Sequence, residues 1–440
     1  MAQLNIQEYN DLNKVLQKVP RFQAGMKSFS HMVKTYFEKF ALKDAPEYLK
    51  QCIEFIYLNL PIQEQLSKYF DTEPPFQLDE SVLSGSWSEG LVLYDPYTFD
   101  PPDVDFLCIL KNIHFTDADQ VCGDLSLSEN SPFVNAYLSD INLLKLWQSY
   151  LLEPASHAME GRICQLSSNK LKEHLYKNYS KGDRFFRVTS EQCNPITDSP
   201  ALKLSRNSAR GLFHGPFWKT LFKTVVEHIW RCSDLVLAIR CDGWPQNALE
   251  WIHRERNWPS RDVIESVTKA GFHIVAKSSH AGNFRLSFSR AEGILIENLN
   301  KVQHKVIRAF KAVIKFLIPC NPDSKETLTS YHLKTIGLWH LEKSASETWI
   351  EDNIATHLLQ MLKELVRALR MKNLPMYFLR EYNLFSGVEN LSYLETLADK
   401  VEQISQDIPG LKKAVKMGAN FHFYDNYMDY FKTCFSQSAK

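Results

Sequence analysis

The sequence predicts an α+β, bilobal fold: a lobe on a mixed β-sheet with N-terminal helices, then an all-helical C-terminal lobe, with a cleft between them. Three observations lead there. At 440 residues the chain exceeds the size at which one hydrophobic core stops growing, so two packed lobes are expected. Residues 81–290 are rich in short apolar runs of strand length. From 291 onward the apolar residues recur at helical spacing instead.

The elements follow in order. Residues 1–70 read as an N-terminal helical region, in which Met32, Val33, Tyr36, Phe37, Phe40 and Leu42 form one apolar face. Thr72-Glu-Pro-Pro-Phe76 breaks that pattern. A strand-rich core is expected over 71–290, with strands at 104–110, 184–189, 234–240, 272–277 and 284–289. The stretch 115–135, rich in Asp and Ser, reads as a surface loop. The helical lobe is expected over 291–440. Its clearest helix is 301–317, where Lys301, Lys305, Arg308, Lys311 and Lys315 recur on one arc and Val302, Val306, Ile307, Phe310, Val313, Ile314 and Leu317 on the other. A second helix over 354–370 carries Leu358, Leu359, Leu362, Leu365, Val366 and Leu369 and ends before Pro375.

Composition excludes several classes. The 51 basic and 51 acidic residues cancel, so nucleic acid would have to bind a local patch rather than the global field. Nine scattered cysteines with no Cys-x-x-Cys pair read as reduced core thiols and show no zinc ribbon. No apolar run reaches the roughly 20 residues that span a bilayer, and the N-terminus is too polar for a signal peptide. The expected location is the cytoplasm, with access to the nucleus.

The chemistry-bearing segment is Gly85-Ser86-Trp87-Ser88-Glu89-Gly90, followed by Pro102-Asp103-Val104-Asp105-Phe106-Leu107. Two aspartates at i and i+2 on a strand point to one face, so their carboxylates can converge. Hard oxygen ligands beside a triphosphate suit Mg²⁺, and phosphoryl transfer needs charge neutralisation and a polarised hydroxyl. Asp234, ahead of Leu235-Val236-Leu237-Ala238-Ile239, supplies a third carboxylate from a neighbouring strand. The Gly85-Ser86 turn lets backbone N–H groups and the Ser hydroxyl approach phosphates. Each piece alone is ordinary: an Asp-x-Asp is often a strand-end pair and a Gly-Ser a plain turn. The ordered combination points to a nucleotidyltransferase.

The same segments carry a family resemblance. With Asp234-Leu-Val-Leu-Ala-Ile-Arg-Cys241, Phe284-Arg-Leu-Ser-Phe-Ser289, Leu328-Thr-Ser-Tyr-His-Leu-Lys-Thr335, Leu338-Trp339 and Tyr382-Asn-Leu-Phe385, they occur in the order seen in the cyclic GMP-AMP synthase family. Residues 80–390 resemble the animal cGAS-like receptors (cGLRs) within the Mab-type nucleotidyltransferases. The resemblance implies Ser86 as a phosphate contact, and Asp103, Asp105 and Asp234 as ligands of Mg²⁺ or Mn²⁺. Asp234 would also activate the attacking hydroxyl. It implies Arg285, Ser287 and Ser289 at the acceptor base, Lys311 at the donor triphosphate, Ser330 and Tyr331 at phosphate and donor base, and Lys334 beside them. ATP and GTP are the implied substrates, and cyclic GMP-AMP, read by a STING-type receptor, is the implied product.

Three departures accompany it. The segment between Ser86 and Asp103 is longer than in the mammalian sensor. Asp103 stands where that enzyme has a glutamate. The zinc-binding insertion after Ser289 is missing, since His304 alone lies between Ser289 and Arg308, so no zinc is expected. Without zinc, family resemblance favours double-stranded RNA as activator, with phosphate contacts from the 301–315 stripe and from Lys34, Lys39, Lys43 and Lys50. The ordinary counterpart is a solvated helix face. The alternative function is a catalytically inactive Mab-type scaffold or nucleotide-binding protein, with a template-independent RNA nucleotidyltransferase as a weaker third.

Overall fold

The structure, a computed structural model, describes residues 6–19, 66–67, 69–91, 93, 104–115, 125–127, 131–152, 163–181, 201–205, 232–277, 283–318 and 328–418. Asp103, the apolar face over 32–42, the lysines at 34, 39, 43 and 50 and the expected strand at 184–189 lie outside the described residues.

A mixed sheet organises the first lobe. Its strands are β1 (Leu78–Ser84), β2 (Val104–Phe115), β3 (Leu125–Leu127), β4 (Phe133–Leu138), β5 (Cys164–Gln165), β6 (Ala201–Ser205), β7 (Cys232–Cys241), β8 (Phe272–Ala276) and β9 (Phe284–Ser287). Their order is β1-β2-β7-β8-β9-β4-β3, with β5 pairing β4 and β6 pairing β7. The β2–β7 pair is parallel and its neighbours are antiparallel, giving a mixed sheet. Parallel neighbours need a long connection, and here β2 and β7 are separated by more than a hundred residues of chain.

Two sequence expectations are corrected here. The stretch 115–135 holds β3 and the start of β4, because its alternating apolar residues Val134 and Ala136 turn into the core, 1% and 0% exposed. The strand expected over 284–289 stops at Ser287, and Ser289 opens a helix. The alternation survives the junction: Phe284, Leu286 and Phe288 are buried while Arg285, Ser287 and Ser289 are half-buried.

The described helices are α1 (Ile6–Gln17), the single turn α2 (Gly85–Ser88), α3 (Ile141–Leu146), α4 (Ser168–Lys181), α5 (Leu249–His253), α6 (Arg261–Lys269) and α7 (Ser289–Glu297). The C-terminal lobe follows as α8 (Lys301–Leu317), α9 (Ser330–Lys343), α10 (Ile354–Arg370), α11 (Leu391–Gln406) and α12 (Ile408–Gly418). Asn300 starts α8 with a capping box, its side chain accepting from the Gln303 N–H while the Gln303 side chain accepts from the Asn300 N–H. Thr329 and His332 form the same reciprocal cap on α9. α1 docks on this lobe, with Asn13 donating to the Glu351 carbonyl (3.0 Å) and accepting from the Ala355 N–H (3.0 Å).

The five-cation stripe of α8 is not one exposed face. Lys305, Arg308 and Lys311 are 4%, 0% and 5% exposed, while Lys301 and Lys315 lie at the surface. α8 is the buried centre of the helical lobe, wrapped by α1, α9, α10 and α12, so tertiary packing overrides its two-faced pattern. Lys305 serves structure: it donates to the Gln17 carbonyl (2.7 Å) and pairs with Glu351 (3.0 Å).

The lobes are fastened by Arg254, just after α5. Its guanidinium pairs with Glu250 and with Glu342 of α9 (3.2 Å), donates to the Tyr377 carbonyl and lies 4.4 Å over the Trp339 ring. No described helix is long and apolar enough to cross a membrane.

Candidate active site

One row of residues crosses the ends of three adjacent strands, β1, β2 and β7. Ser84 of β1 stands opposite Asp105 of β2, and Asp105 stands beside Asp234 of β7. In-register neighbours share a face at a strand spacing of about 4.8 Å, so the two carboxylates sit side by side. Below them on that face, Leu107, Ile109, Ala238 and Val275 form an apolar cluster that holds the strands at this register.

The chain leaves β1 through Gly85, whose φ of +70° is one that side chains disfavour. A Cβ here would lie 2.0 Å from the Asp105 carboxylate oxygen. Glycine is therefore required twice, by backbone conformation and by the carboxylate pressed against it. The turn that follows is held by the Glu89 N–H donating to the Gly85 carbonyl (3.1 Å) and the Leu91 N–H to the Ser86 carbonyl (2.9 Å). It places Ser86 towards α8, where Lys311 Nζ donates to Ser86 Oγ (2.6 Å) and to the Leu91 carbonyl (3.0 Å). Burial pushes the Lys311 ammonium down to about 7, helped by Lys315, with Glu89 opposing.

The opposite wall comes from β9, α7 and α9. Arg285, Ser287 and Ser289 line the cleft, and the Ser287 and Ser289 hydroxyls are 3.0 Å apart. Ser330, Tyr331 and Lys334 occupy the first turns of α9, whose N-terminus faces the cleft and favours negative charge. Burial and Glu292 push the Tyr331 phenol well above its ordinary value, so it stays protonated and its ring is neutral. The whole cleft encloses about 530 Å³, within the range of small-molecule sites.

Of the residues singled out from sequence, Ser86, Asp105, Arg285, Ser287, Ser289, Lys311, Ser330, Tyr331 and Lys334 all line this one cleft. Asp234 joins them through its register with Asp105, and Asp103 is outside the described residues. Lys334 is already engaged: its ammonium pairs with Glu89 (2.7 Å) and with Glu292 (2.5 Å). Burial alone would depress it, yet these two carboxylates hold it well above the ordinary lysine range. It therefore ties the Ser86 turn to α7 and α9. Sequence reasoning missed Glu89 and Glu292. The signal was available for Glu292, which follows Ser289 by three residues and so shares its helix face.

Asp105 and Asp234 fit a divalent cation: both are hard carboxylates on one face, and Gly85 keeps the space beside Asp105 free of a side chain. Among the described residues no group of three His, Cys, Asp or Glu side chains gathers.

Comparison with known proteins agrees with this arrangement. Residues 233–298 match the Mab-21 protein nucleotidyltransferase domain, covering β7 to α7. Residues 302–403 match the Mab-21 protein HhH/H2TH-like domain, covering α8 to α11. Among curated proteins, the chain is 28% identical over 177 residues to Protein mab-21-like 3 of Xenopus laevis, 40% of this chain and 46% of that one. It is 28% identical over 174 residues to Protein mab-21-like 3 of Danio rerio, 38% of this chain and 42% of that one. The chain thus spans a little under half the length of the curated relatives it matches. The cleft thus lies between the region similar to the Mab-21 protein nucleotidyltransferase domain and the region similar to the Mab-21 protein HhH/H2TH-like domain.

Proposed function

We propose that this chain is a metal-dependent nucleotidyltransferase that makes a cyclic dinucleotide, cyclic GMP-AMP from ATP and GTP, when double-stranded RNA activates it. A STING-type receptor reads the product, which makes the chain an innate immune sensor. The observation that carries the reading is the side-by-side placement of Asp105 and Asp234 opposite the Ser86–Lys311 pair. The division into 1–70, 71–290 and 291–440 and the nucleotide roles of the cleft residues belong to the same proposal.

The chemistry assigns a role to each group. Lys311 and Ser86 take the donor triphosphate, a role for which a buried ammonium is suited because burial strengthens its attraction for phosphate. The N-terminus of α9 adds its dipole and its Ser330 hydroxyl. The Tyr331 ring stacks on the donor base, worth about 1–3 kcal/mol. Arg285, Ser287 and Ser289 hold the acceptor base by hydrogen bonds. Asp103, Asp105 and Asp234 would hold Mg²⁺ or Mn²⁺, which supplies Lewis-acid neutralisation of the triphosphate when bound. Asp234 takes the proton of the attacking ribose hydroxyl. That oxygen bonds to the α-phosphorus as the bond to pyrophosphate breaks, and a second such transfer closes the ring.

The test is incubation of purified chain with labelled ATP, GTP, UTP and CTP and Mg²⁺ or Mn²⁺, with and without double-stranded RNA or DNA. A phosphatase-resistant product that disappears in Asp105→Asn supports the synthase. Linear products alone indicate RNA-type nucleotidyl transfer. No product under any ligand, with nucleotide binding retained, leaves the inactive scaffold.

A further inference from the structure

A second cavity lies in the helical lobe, at the far end of α9 from the cleft. Its volume is about 610 Å³, and it opens between the C-terminal turn of α9 and the exposed stripe of α10. Tyr331 and Lys343 are twelve residues apart on α9, so the two cavities are separated by about 18 Å of helix.

The cavity has a polar floor and a cationic rim. His340 and His357 are buried at its base, 2% and 3% exposed, with Ser344 and Thr348 beside them. The histidines form a relay. His357 Nε2 donates to the Thr348 carbonyl (3.0 Å), so its Nδ1 accepts from His340 Nε2 (3.0 Å). His340 Nδ1 then meets Glu364 Oε1 at 3.1 Å. Glu364 is the one carboxylate among the residues that line the cavity.

The rim carries lysine and arginine side chains. Lys343 comes from α9, and Lys363 and Arg367 come from α10 one turn apart. All three are exposed, and among the described residues neither Lys363 nor Arg367 has a side-chain partner. Three cations, against the single carboxylate of Glu364, converge on a concave polar floor. A solvated helix face accounts for scattered lysines but not for their convergence over two buried histidines. Size also discriminates: the volume suits a small molecule rather than a duplex, which needs a long open track.

We propose that this cavity binds a phosphorylated small molecule bearing two or more phosphates. Lys363 and Arg367 grip one phosphate, Lys343 faces a second across the cavity, and the hydroxyls of Ser344 and Thr348 line the floor. Because α9 runs from this cavity to Tyr331 and Lys334, and Arg254 braces its last turn at Glu342, an occupant here bears on the helix that forms one wall of the cleft.

The test is titration calorimetry of the full chain with inorganic tripolyphosphate at low salt. Lys311→Met removes the cleft ammonium, so binding that persists in that variant is binding elsewhere. Adding Lys363→Ala/Arg367→Ala is expected to weaken this binding about tenfold, because charge-assisted contacts to phosphate are lost. Lys363→Ala/Arg367→Ala alone leaves the melting temperature unchanged, since both side chains are exposed. Unchanged affinity after the double substitution overturns the assignment, as does absence of binding at millimolar tripolyphosphate. Loss of double-stranded RNA binding with tripolyphosphate binding intact also overturns it, in favour of a nucleic-acid face.

Discussion

Lys311 and Lys334 enter the same cleft from neighbouring helices, and both are tied to the turn between β1 and β2. On the α8 wall, the hydrogen bonds of Lys311 among the described residues go to neutral oxygens, Ser86 Oγ and the Leu91 carbonyl. On the α9 wall, Lys334 meets two carboxylates, Glu89 and Glu292. Burial acts on both, yet Lys311 is depressed to about 7 and Lys334 is raised. The difference teaches what each wall is for. A buried ammonium not paired to a carboxylate among the described residues is suited to an anion, whereas one paired to two is a structural clamp. In the proposed function the triphosphate meets Lys311 on the α8 wall, and Lys334 positions Tyr331 and Ser330 rather than binding phosphate itself.

The largest expected effect tests what both walls serve. Asp105→Asn or Asp234→Asn should lower product formation by about a thousandfold while leaving nucleotide binding measurable, since phosphoryl transfer depends on charge neutralisation at this point. Next is Gly85→Ala, which drives a methyl into the Asp105 carboxylate. It should cost about a hundredfold in rate, the scale expected when a reacting group is displaced by an ångström, and nucleotide titration separates that loss from weaker binding.

Breaking the clamp should be felt first in stability. Lys334→Met strands Glu89 and Glu292, whose side chains are 3% and 7% exposed, and should lower unfolding free energy by about 3–5 kcal/mol in denaturant melts. Glu89→Gln leaves Lys334 one carboxylate and should cost clearly less. Equal losses from the two substitutions would show that Lys334 is not shared between two carboxylates.

The smallest effect is a proton. At pH 8 Lys311 is largely neutral in the free chain, so a bound triphosphate should draw one proton onto it. Calorimetry in buffers of different ionisation enthalpy would show proton uptake, reduced by about one in Lys311→Met. The sign for stability runs the same way. Between about 7 and 10.5 the unfolded chain holds this proton and the folded chain does not, so the Lys311 contribution to stability rises with pH across that window.

Much of this was legible in sequence because it depends on short-range pattern. Short apolar runs marked β2, β7 and β9, and apolar residues at helical spacing marked α8 and α10 to the residue. The Asp105 and Asp234 carboxylates were recognisable because chemistry restricts which residues can do phosphoryl transfer. The cationic stripe of α8 misled for a physical reason. Helical periodicity tells which residues share an arc but not what covers that arc, and here α1, α9, α10 and α12 cover it from all sides. In the same way, no local pattern distinguishes Lys305, held by Glu351, from Lys311 two turns later.

By itself, then, the sequence determined the α+β division, the strand that carries Asp105 and the residue types of the cleft, because each follows from local spacing and side-chain chemistry. The tertiary structure alone decided that Asp105 and Asp234 are register neighbours, that Gly85 must lack a side chain to admit a carboxylate, and that Glu89 and Glu292 claim Lys334. Those facts join residues from 42 to 245 positions apart in the clamp alone, and separations of that length are set by packing and burial, which no single stretch of chain encodes.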